Sequence, residues 1–272
     1  AGVLAAVTSL PGEREGEPGV LGPAAYEWID RLAEAGVGLW QMLPVSPVDG
    51  AGSPYRPDSV MAGNPALISG RLLAREGLLT EGELALPQES RLAAAFERFE
   101  AEKNAALGRE FAAFRGAQAD WLEDYALYTA LRRACGAGRW QDFPPALAAR
   151  EPGALEAAKG ELRRQMQRVR FEQFLFDRQM KALKGYAGEK NVLLVGDLPF
   201  GVDAGGCDCW VHRAFFWIEA DGSCPYGLGV PPDGFSEEGQ TWDMPLYRFN
   251  QMEKDGYAWW ARRTGRALEH FY

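Results

Sequence analysis

The chain has 272 residues, enough to bury a full core as one large domain or two small ones. Its formal net charge of −9 argues against nucleic acid or anionic lipid as the main partner, because both need a basic surface. The mixture, 47% hydrophobic and 25% charged, is that of an ordinary globular protein, and its longest apolar runs fall far short of a membrane span. A neutral ligand is compatible with that balance. Aromatics are plentiful, with 9 Trp, 9 Tyr and 14 Phe; that is more tryptophan than a core of this size requires, and flat apolar faces with one polar handle suit sugar rings or other amphipathic ligands. The 4 cysteines are not spaced as a disulfide framework, and residues 2–7 lack the basic flank of a signal peptide. A cytoplasmic protein is expected. Residue 1 is Ala, so a processed or trimmed N-terminus is expected too.

In chain order, residues 2–10 have strand character and end at Pro11-Gly12, followed by a charge run over 11–17 that reads as a solvated loop. Gly22-Pro23 opens a helix with Tyr26, Ile29, Leu32 and Ala33 at helical spacing, closed by Gly36 as a left-handed cap. Residues 37–45 form a second strand-like run. Strand, helix, strand in so short a space predicts a βαβ unit with parallel strands and a right-handed crossover. The following loop is dense in turn formers (Pro47, Gly50, Gly52, Pro54, Pro57, Gly63, Pro65) and contains Ser53-Pro54-Tyr55.

Residues 72–190 read as a helical insertion rich in Ala, Leu, Glu and Arg. One helix is expected from Trp121 to about Cys135. Another is expected over 155–184, with Leu162, Met166, Val169, Phe176, Met180 and Leu183 on a core-facing stripe. Then Val192-Leu193-Leu194-Val195 predicts a third strand, buried on both faces as parallel strands usually are. It stops abruptly at Asp197, with Pro199 two residues on. Residues 205–241 read as loop. A final helix is expected from about Gly256, with Trp260, Thr264, Ala267 and Phe271 buried. The organisation expected is therefore 1–71 as two strands with a site loop, 72–190 as the insertion, and 191–272 as a third strand, a binding loop and a helix. Three strands where an α/β barrel needs eight point to the first part of a barrel.

Chemistry concentrates in four stretches. Ser53-Pro54-Tyr55 sets a hydroxyl and an aromatic face on a rigid loop. Asp197 is a carboxylate at a strand end, where barrel sites lie, although a carboxylate there can equally cap its own turn. Asp233 follows a stiff diproline, and Gln240 and Trp242 add an amide and an indole. No Lys or Arg stands among these groups, which favours a neutral polyhydroxylated ligand over a phosphate or nucleotide. Cys207, Cys209, His212 and Cys224 could be read as a zinc set, but their spacing is irregular, and buried inert cysteines are the plainer reading. His270 is expected at the surface or in packing. With only 2 histidines and no partnered serine, a Ser-His-Asp hydrolase is not supported.

In order along the chain stand S-L-P-G, A-E-A-G-x-x-x-W-Q-x-L-P, S-P-Y, A-G-N-P, W-L-x-D-Y-A-L, G-D-L-P, G-V-P-P-D-x-F-S and G-Q-x-W. Together they resemble the 4-α-glucanotransferases (amylomaltases, or disproportionating enzymes), over nearly the whole chain. The resemblance implies an α/β fold, a (β/α)8 TIM barrel with helical insertion, of which this chain supplies roughly the first three strands. It implies transfer of α-1,4-glucan segments between maltodextrins by a retaining mechanism, without metal or organic cofactor. Ser53, Tyr55, Asp197, Asp233, Gln240 and Trp242 then match substrate-binding positions. The family's nucleophile lies in R-I-D-H-F on the fourth strand and its acid/base on the fifth. Both are expected beyond Tyr272 with the rest of the barrel, so no catalytic residue is assigned here. Three departures stand out: Arg56 where the family has Gln, Asp243-Met244-Pro245 where it has G-N-P after the Trp, and a reduced Gly19-Val20-Leu21-Gly22. Arg56 and Asp243 add charge near the expected site. The rival expectation is a glucan-binding or regulatory protein derived from such an enzyme.

Overall fold

The computed structural model describes residues 1–48 and 52–272, with Asp243 described without its side chain. Gly50 and the Asp243 carboxylate, both singled out above, lie outside the described residues. A sheet of three strands, β1 (Gly2–Leu4), β2 (Leu39–Gln41) and β3 (Leu193–Val195), runs in the order β1-β2-β3 with both pairings parallel. The βαβ expectation is met. The helix Pro23–Glu34 connects β1 to β2, starts on Pro23 where its missing N–H is harmless, and buries Ala25, Ile29 and Leu32. Gly36 ends it in the left-handed region, at φ +69°.

The strands are shorter than the apolar runs that encode them. After β1 the chain bends into a 3-10 turn, Val7–Ser9. Register places Val3, Trp40 and Leu194 in one row and Gly2, Leu39 and Leu193 in the next. Trp40 and Leu194 are fully buried under helices, whereas Leu39 and Leu193 are about 40% exposed (40% and 41%). The expectation that the third strand is buried on both faces is therefore corrected. Side chains alternate along a strand, and among the described residues helices cover one side of this sheet.

The long helix Arg163–Glu189 lies at the centre of the insertion, packed against Gln88–Glu102, Ala105–Ala117 and Ala119–Cys135. Its stripe of Met166, Val169, Phe176, Met180 and Leu183 is buried as expected. The expected single helix over 155–184 is instead two, Pro152–Glu161 and Arg163–Glu189, broken at Leu162 (φ −99°, ψ 15°). Phe171 stacks on Phe99 at 4.5 Å and meets Phe111 edge-on at 5.7 Å, in arrangements that aromatic quadrupoles favour.

Two buried glutamines of the long helix do the work of a neighbouring strand. Gln173 accepts from Gly63 N and donates to Gly63 O, both at 2.8 Å; Gln179 does the same to Ser69 at 2.8 and 3.1 Å. The loop after β2 thus has its backbone satisfied from the helix, which fixes where that loop can go.

The closing helix, Ala258–His270, buries Trp259, Arg263, Arg266 and His270; of the expected face Phe271, just beyond the helix, is buried, Trp260 and Ala267 are half-buried, and Thr264 is exposed. The reason is polar. Asp177 of the long helix accepts from Arg266 Nη1 at 2.6 Å and lies 2.9 Å from His270 Nε2, and these pairs set the rotation of the helix. Burial favours the neutral acid at Asp177, but His270 and Arg266 outweigh it and hold the carboxyl well below its usual range. Beyond the helix Phe271 is extended, and Tyr272 N donates to Leu194 O at 3.0 Å, alongside β3. Gly196 is required here, because a Cβ on it would stand 2.5 Å from the Phe271 ring. Among the described residues no helix is long and apolar enough to cross a membrane.

Candidate functional site

Asp197 follows β3 by two residues, and the loop after β2 brings Tyr55 to it. Tyr55 Oη donates to Asp197 Oδ2 at 2.7 Å, joining residues 142 positions apart. Both side chains are half-buried. The bond to Asp197, helped by partial burial, pushes the Tyr55 phenol above its ordinary value, so it stays protonated as a donor. Ser53 opens the same turn, its carbonyl accepting from Arg56 N at 3.3 Å. Asp197 is thus held by a distant side chain.

The Tyr55 loop is tied down along its far side. Asp203 N donates to Pro57 O at 3.2 Å, Cys207 N donates to Asp58 O at 2.7 Å, and Val60 N donates to Asp208 Oδ2 at 2.8 Å. Arg132, from the insertion, bonds Asp58 at 2.5 Å. Asp208 is buried, and desolvation pushes its carboxyl up to about 7, despite the Val60 amide and the opposing charge of Arg263. Arg56, the departure from the family's Gln, reaches Asp203 at 3.9 Å.

Residues 205–241, expected as loop, contain one strand of an antiparallel hairpin, β4 (Gly227–Val230) with β5 (Gln240–Pro245). The signal was there: a turn-rich P-P-D-G stretch between G-L-G-V and the strand-like run that begins at Gln240. The hairpin lies on the loop after β3, where Gly201 leaves room for it; a Cβ there would stand 2.4 Å from Met244 Sδ and 3.0 Å from Leu228 Cδ1. This packing sets the Trp242 ring 6.0 Å from Phe200, three residues beyond Asp197. Trp242 Nε1 donates to Gln240 Oε1 at 3.0 Å, so these two act as a unit.

Of the six residues singled out, Tyr55 and Asp197 are in direct contact, Ser53 shares the Tyr55 turn, and Gln240 and Trp242 pair with each other beside Phe200, which follows Asp197 by three residues. Asp233 stands apart at the exposed hairpin tip. Its Oδ1 accepts from Phe235 N at 2.8 Å and Ser236 N at 2.9 Å, which shapes the turn. Sequence reasoning passed over the exposed apolar residues that follow Asp197, Leu198 and Phe200, and gave no role to Phe235, which is 96% exposed at the hairpin tip. Phe200 and Phe235 stood inside or beside quoted motifs and were legible as aromatic faces.

The cysteines are free thiols. Cys207 and Cys209 are buried, and burial pushes both well above the ordinary thiol value. His212 stacks on Phe215 at 5.6 Å, and burial lowers its pKa. Among the described residues no three His, Cys, Asp or Glu side chains gather as metal ligands would.

A family model described as 4-alpha-glucanotransferase matches residues 5–272. The 4-alpha-glucanotransferase of Thermus thermophilus is 39% identical over 283 residues, which cover 100% of this chain and 56% of that protein. The chloroplastic/amyloplastic 4-alpha-glucanotransferase of Solanum tuberosum is 35% identical over 291 residues, covering 100% of this chain and 50% of that one. Among solved structures, amylomaltase from Streptococcus agalactiae in complex with acarbose superposes with a TM-score of 0.91 at 28% identity, covering 99% of this chain and 57% of that one. The chain spans about half the length of the curated relatives it matches. Its three parallel strands are accordingly part of a (β/α)8 barrel, as the sequence led us to expect. The open row of Leu39 and Leu193 is the inward face, which a closed barrel fills with side chains from its other strands.

Proposed function

Because the chain belongs to the 4-alpha-glucanotransferase family, we propose that it supplies the glucan-gripping part of an enzyme that transfers α-1,4-glucan segments between maltodextrins by a retaining mechanism. The observation that carries this reading is the Tyr55–Asp197 bond, which joins two strand-end loops at one rim. In this reading the Tyr55 hydroxyl orients Asp197 through Oδ2 and leaves Oδ1 to accept from a glucose hydroxyl. Trp242, held by Gln240, offers its indole to the apolar face of a sugar ring. Ser53 lines the same turn, and Asp233 shapes the loop over the donor glucan.

A retaining transfer needs two carboxyl groups about 5–5.5 Å apart, one as nucleophile and one as acid/base. We assign both to residues beyond Tyr272, on the fourth and fifth strands. Asp197 and Asp233 are left as binding groups, since each is already held by donors of this chain. The reaction needs no metal or organic cofactor, so dialysis against a chelator is expected to leave the rate unchanged. We place the enzyme in glycogen or starch metabolism in the cytoplasm, a reducing compartment that suits free thiols.

The test is disproportionation of maltotriose. The full-length protein is expected to release glucose together with longer maltodextrins, separated by chromatography. Residues 1–272 alone are expected to release neither; product formation by them would refute this division of labour.

A further inference from the structure

Lys184 stands on the long helix, and its ammonium is directed at backbone carbonyls. Nζ donates to Phe271 O at 2.8 Å and Leu268 O at 2.9 Å, and reaches Glu269 O at 3.5 Å. It also lies 4.6 Å from the centroid of the Tyr272 ring, within the range of a cation–π contact. Lys181, on the same helix, instead pairs with carboxylates, Asp177 at 2.8 Å and Glu269 at 3.1 Å. We propose that Lys184 is a positioning residue for glucan transfer: it seats Phe271 against Gly196, and so fixes Asp197, the next residue, in the place from which it meets the sugar. The inference rests on the glucan-transfer reading and deepens it.

The way the closing helix ends is what calls for a lysine. The last turn of any helix leaves carbonyls without donors from the helix itself. Commonly a left-handed glycine closes that turn and sends the chain away. Here Phe271 is extended, at φ −128° and ψ 171°, and Tyr272 N donates at once to Leu194 O of β3 at 3.0 Å. A chain that passes straight from helix into strand has no such glycine turn, so its end carbonyls need a donor from elsewhere. Lys184 supplies it from the neighbouring helix, and a cation there also opposes the negative end of the helix dipole. Gly188, one turn after Lys184 on the same face, makes room for the Tyr272 ring; a Cβ on it would stand 3.2 Å from Tyr272 Oη.

The segment held in this way backs the site. A Cβ on Gly196 would stand 2.5 Å from the Phe271 ring, so ring and backbone are in contact one residue before Asp197. Among the described residues Tyr55 is the one donor to the Asp197 carboxylate, at 2.7 Å. Asp197 also shares with Phe271 and His270 the lining of a cavity of about 40 Å³, so free space adjoins it. With one side-chain bond and room to move, Asp197 depends on how its backbone is seated. The Phe271 ring is that seat.

The experiment is a double-mutant cycle in the full-length protein, read as kcat/KM for disproportionation of maltotriose. Lys184→Met keeps the aliphatic stem and removes the ammonium. It is expected to lower kcat/KM fivefold or more in the wild-type background, but less than twofold in an Asp197→Asn background, because the loss passes through Asp197. An equal fall in both backgrounds marks a merely structural lysine and overturns the proposal, as does an unchanged rate. If Lys184→Met does not fold, Lys184→Gln, which keeps a shorter donor, runs the same cycle, with a fall of twofold or more expected in the wild-type background alone. If wild type itself fails to disproportionate maltotriose, it is the transfer reading that fails. A crystal structure of the lysine variant then still decides the positioning: Phe271 displaced from Gly196 with the Tyr55–Asp197 bond broken supports it, and an intact bond overturns it.

Discussion

Tyr55→Phe removes one oxygen and keeps the ring, which isolates the bond on which the site is built. That bond, 2.7 Å from a phenol to a carboxylate, is of the charge-assisted kind worth about 1.5–3 kcal/mol. The pair is half-buried, so water replaces part of it in the variant. A net loss of about 1–2 kcal/mol remains, which corresponds to a five- to thirtyfold fall in kcat/KM at about 1.4 kcal/mol per tenfold. The assay is the initial rate of glucose release from maltotriose by the full-length protein. Asp197→Asn and the double variant complete a cycle, and the two single effects are expected to overlap by about 1 kcal/mol or more. Thermal unfolding should move by less than about 2 °C, since the loss is one of positioning. Strict additivity, or a Tyr55→Phe rate equal to wild type, would refute the claim that Tyr55 acts through Asp197.

Trp242→Ala removes an indole that touches Phe200 and Gln240, and is expected to raise KM for maltodextrins about three- to tenfold with little change in melting temperature; an unaltered KM counts against the sugar platform. Gly196→Ala drives a methyl into the Phe271 ring, an overpacking worth about 1–3 kcal/mol, and differential scanning calorimetry should show melting lowered by several degrees. Asp208 has a folded pKa raised from 3.8 to about 7, so the unfolded chain loses its proton first as pH rises. Its contribution is therefore fully present below about pH 4 and is lost as pH rises to about 7, on the order of 4 kcal/mol in all. Asp208→Asn keeps an acceptor for Val60 N without the charge. Denaturant titrations from pH 4 to 8 should give a flatter stability profile for the variant, and parallel profiles would contradict the assignment.

The barrel strands were legible because unbroken apolar runs ending in Pro or Asp have few alternatives, and the first helix because Pro23 and Gly36 punctuate it. Less could be read where long-range polar pairing decides. The closing helix turns toward Asp177, more than eighty residues earlier, so its buried face carries Arg263, Arg266 and His270 where apolar spacing pointed to Trp260 and Thr264. The break at Leu162 has no proline to announce it, and Gly160, two residues earlier, is a weak signal because a single glycine is tolerated inside a helix. The β4–β5 hairpin hid behind glycines that weaken strand propensity yet allow the hairpin to lie close on the loop after β3. Within the site, Tyr55, Asp197 and Trp242 could be named from their motifs, but the Tyr55–Asp197 bond could not, because it depends on a loop held by Gln173, Gln179 and Asp208. Asp233 shows the converse: a carboxylate chosen for its motif spends its oxygen on its own turn.

The most direct test of the whole account is a crystal structure of the full-length protein soaked with a maltodextrin. One glucose hydroxyl is expected within hydrogen-bond distance of Asp197, with the Trp242 indole against a neighbouring ring. A glucan bound elsewhere, with Tyr55, Asp197 and Trp242 all facing solvent, would contradict it.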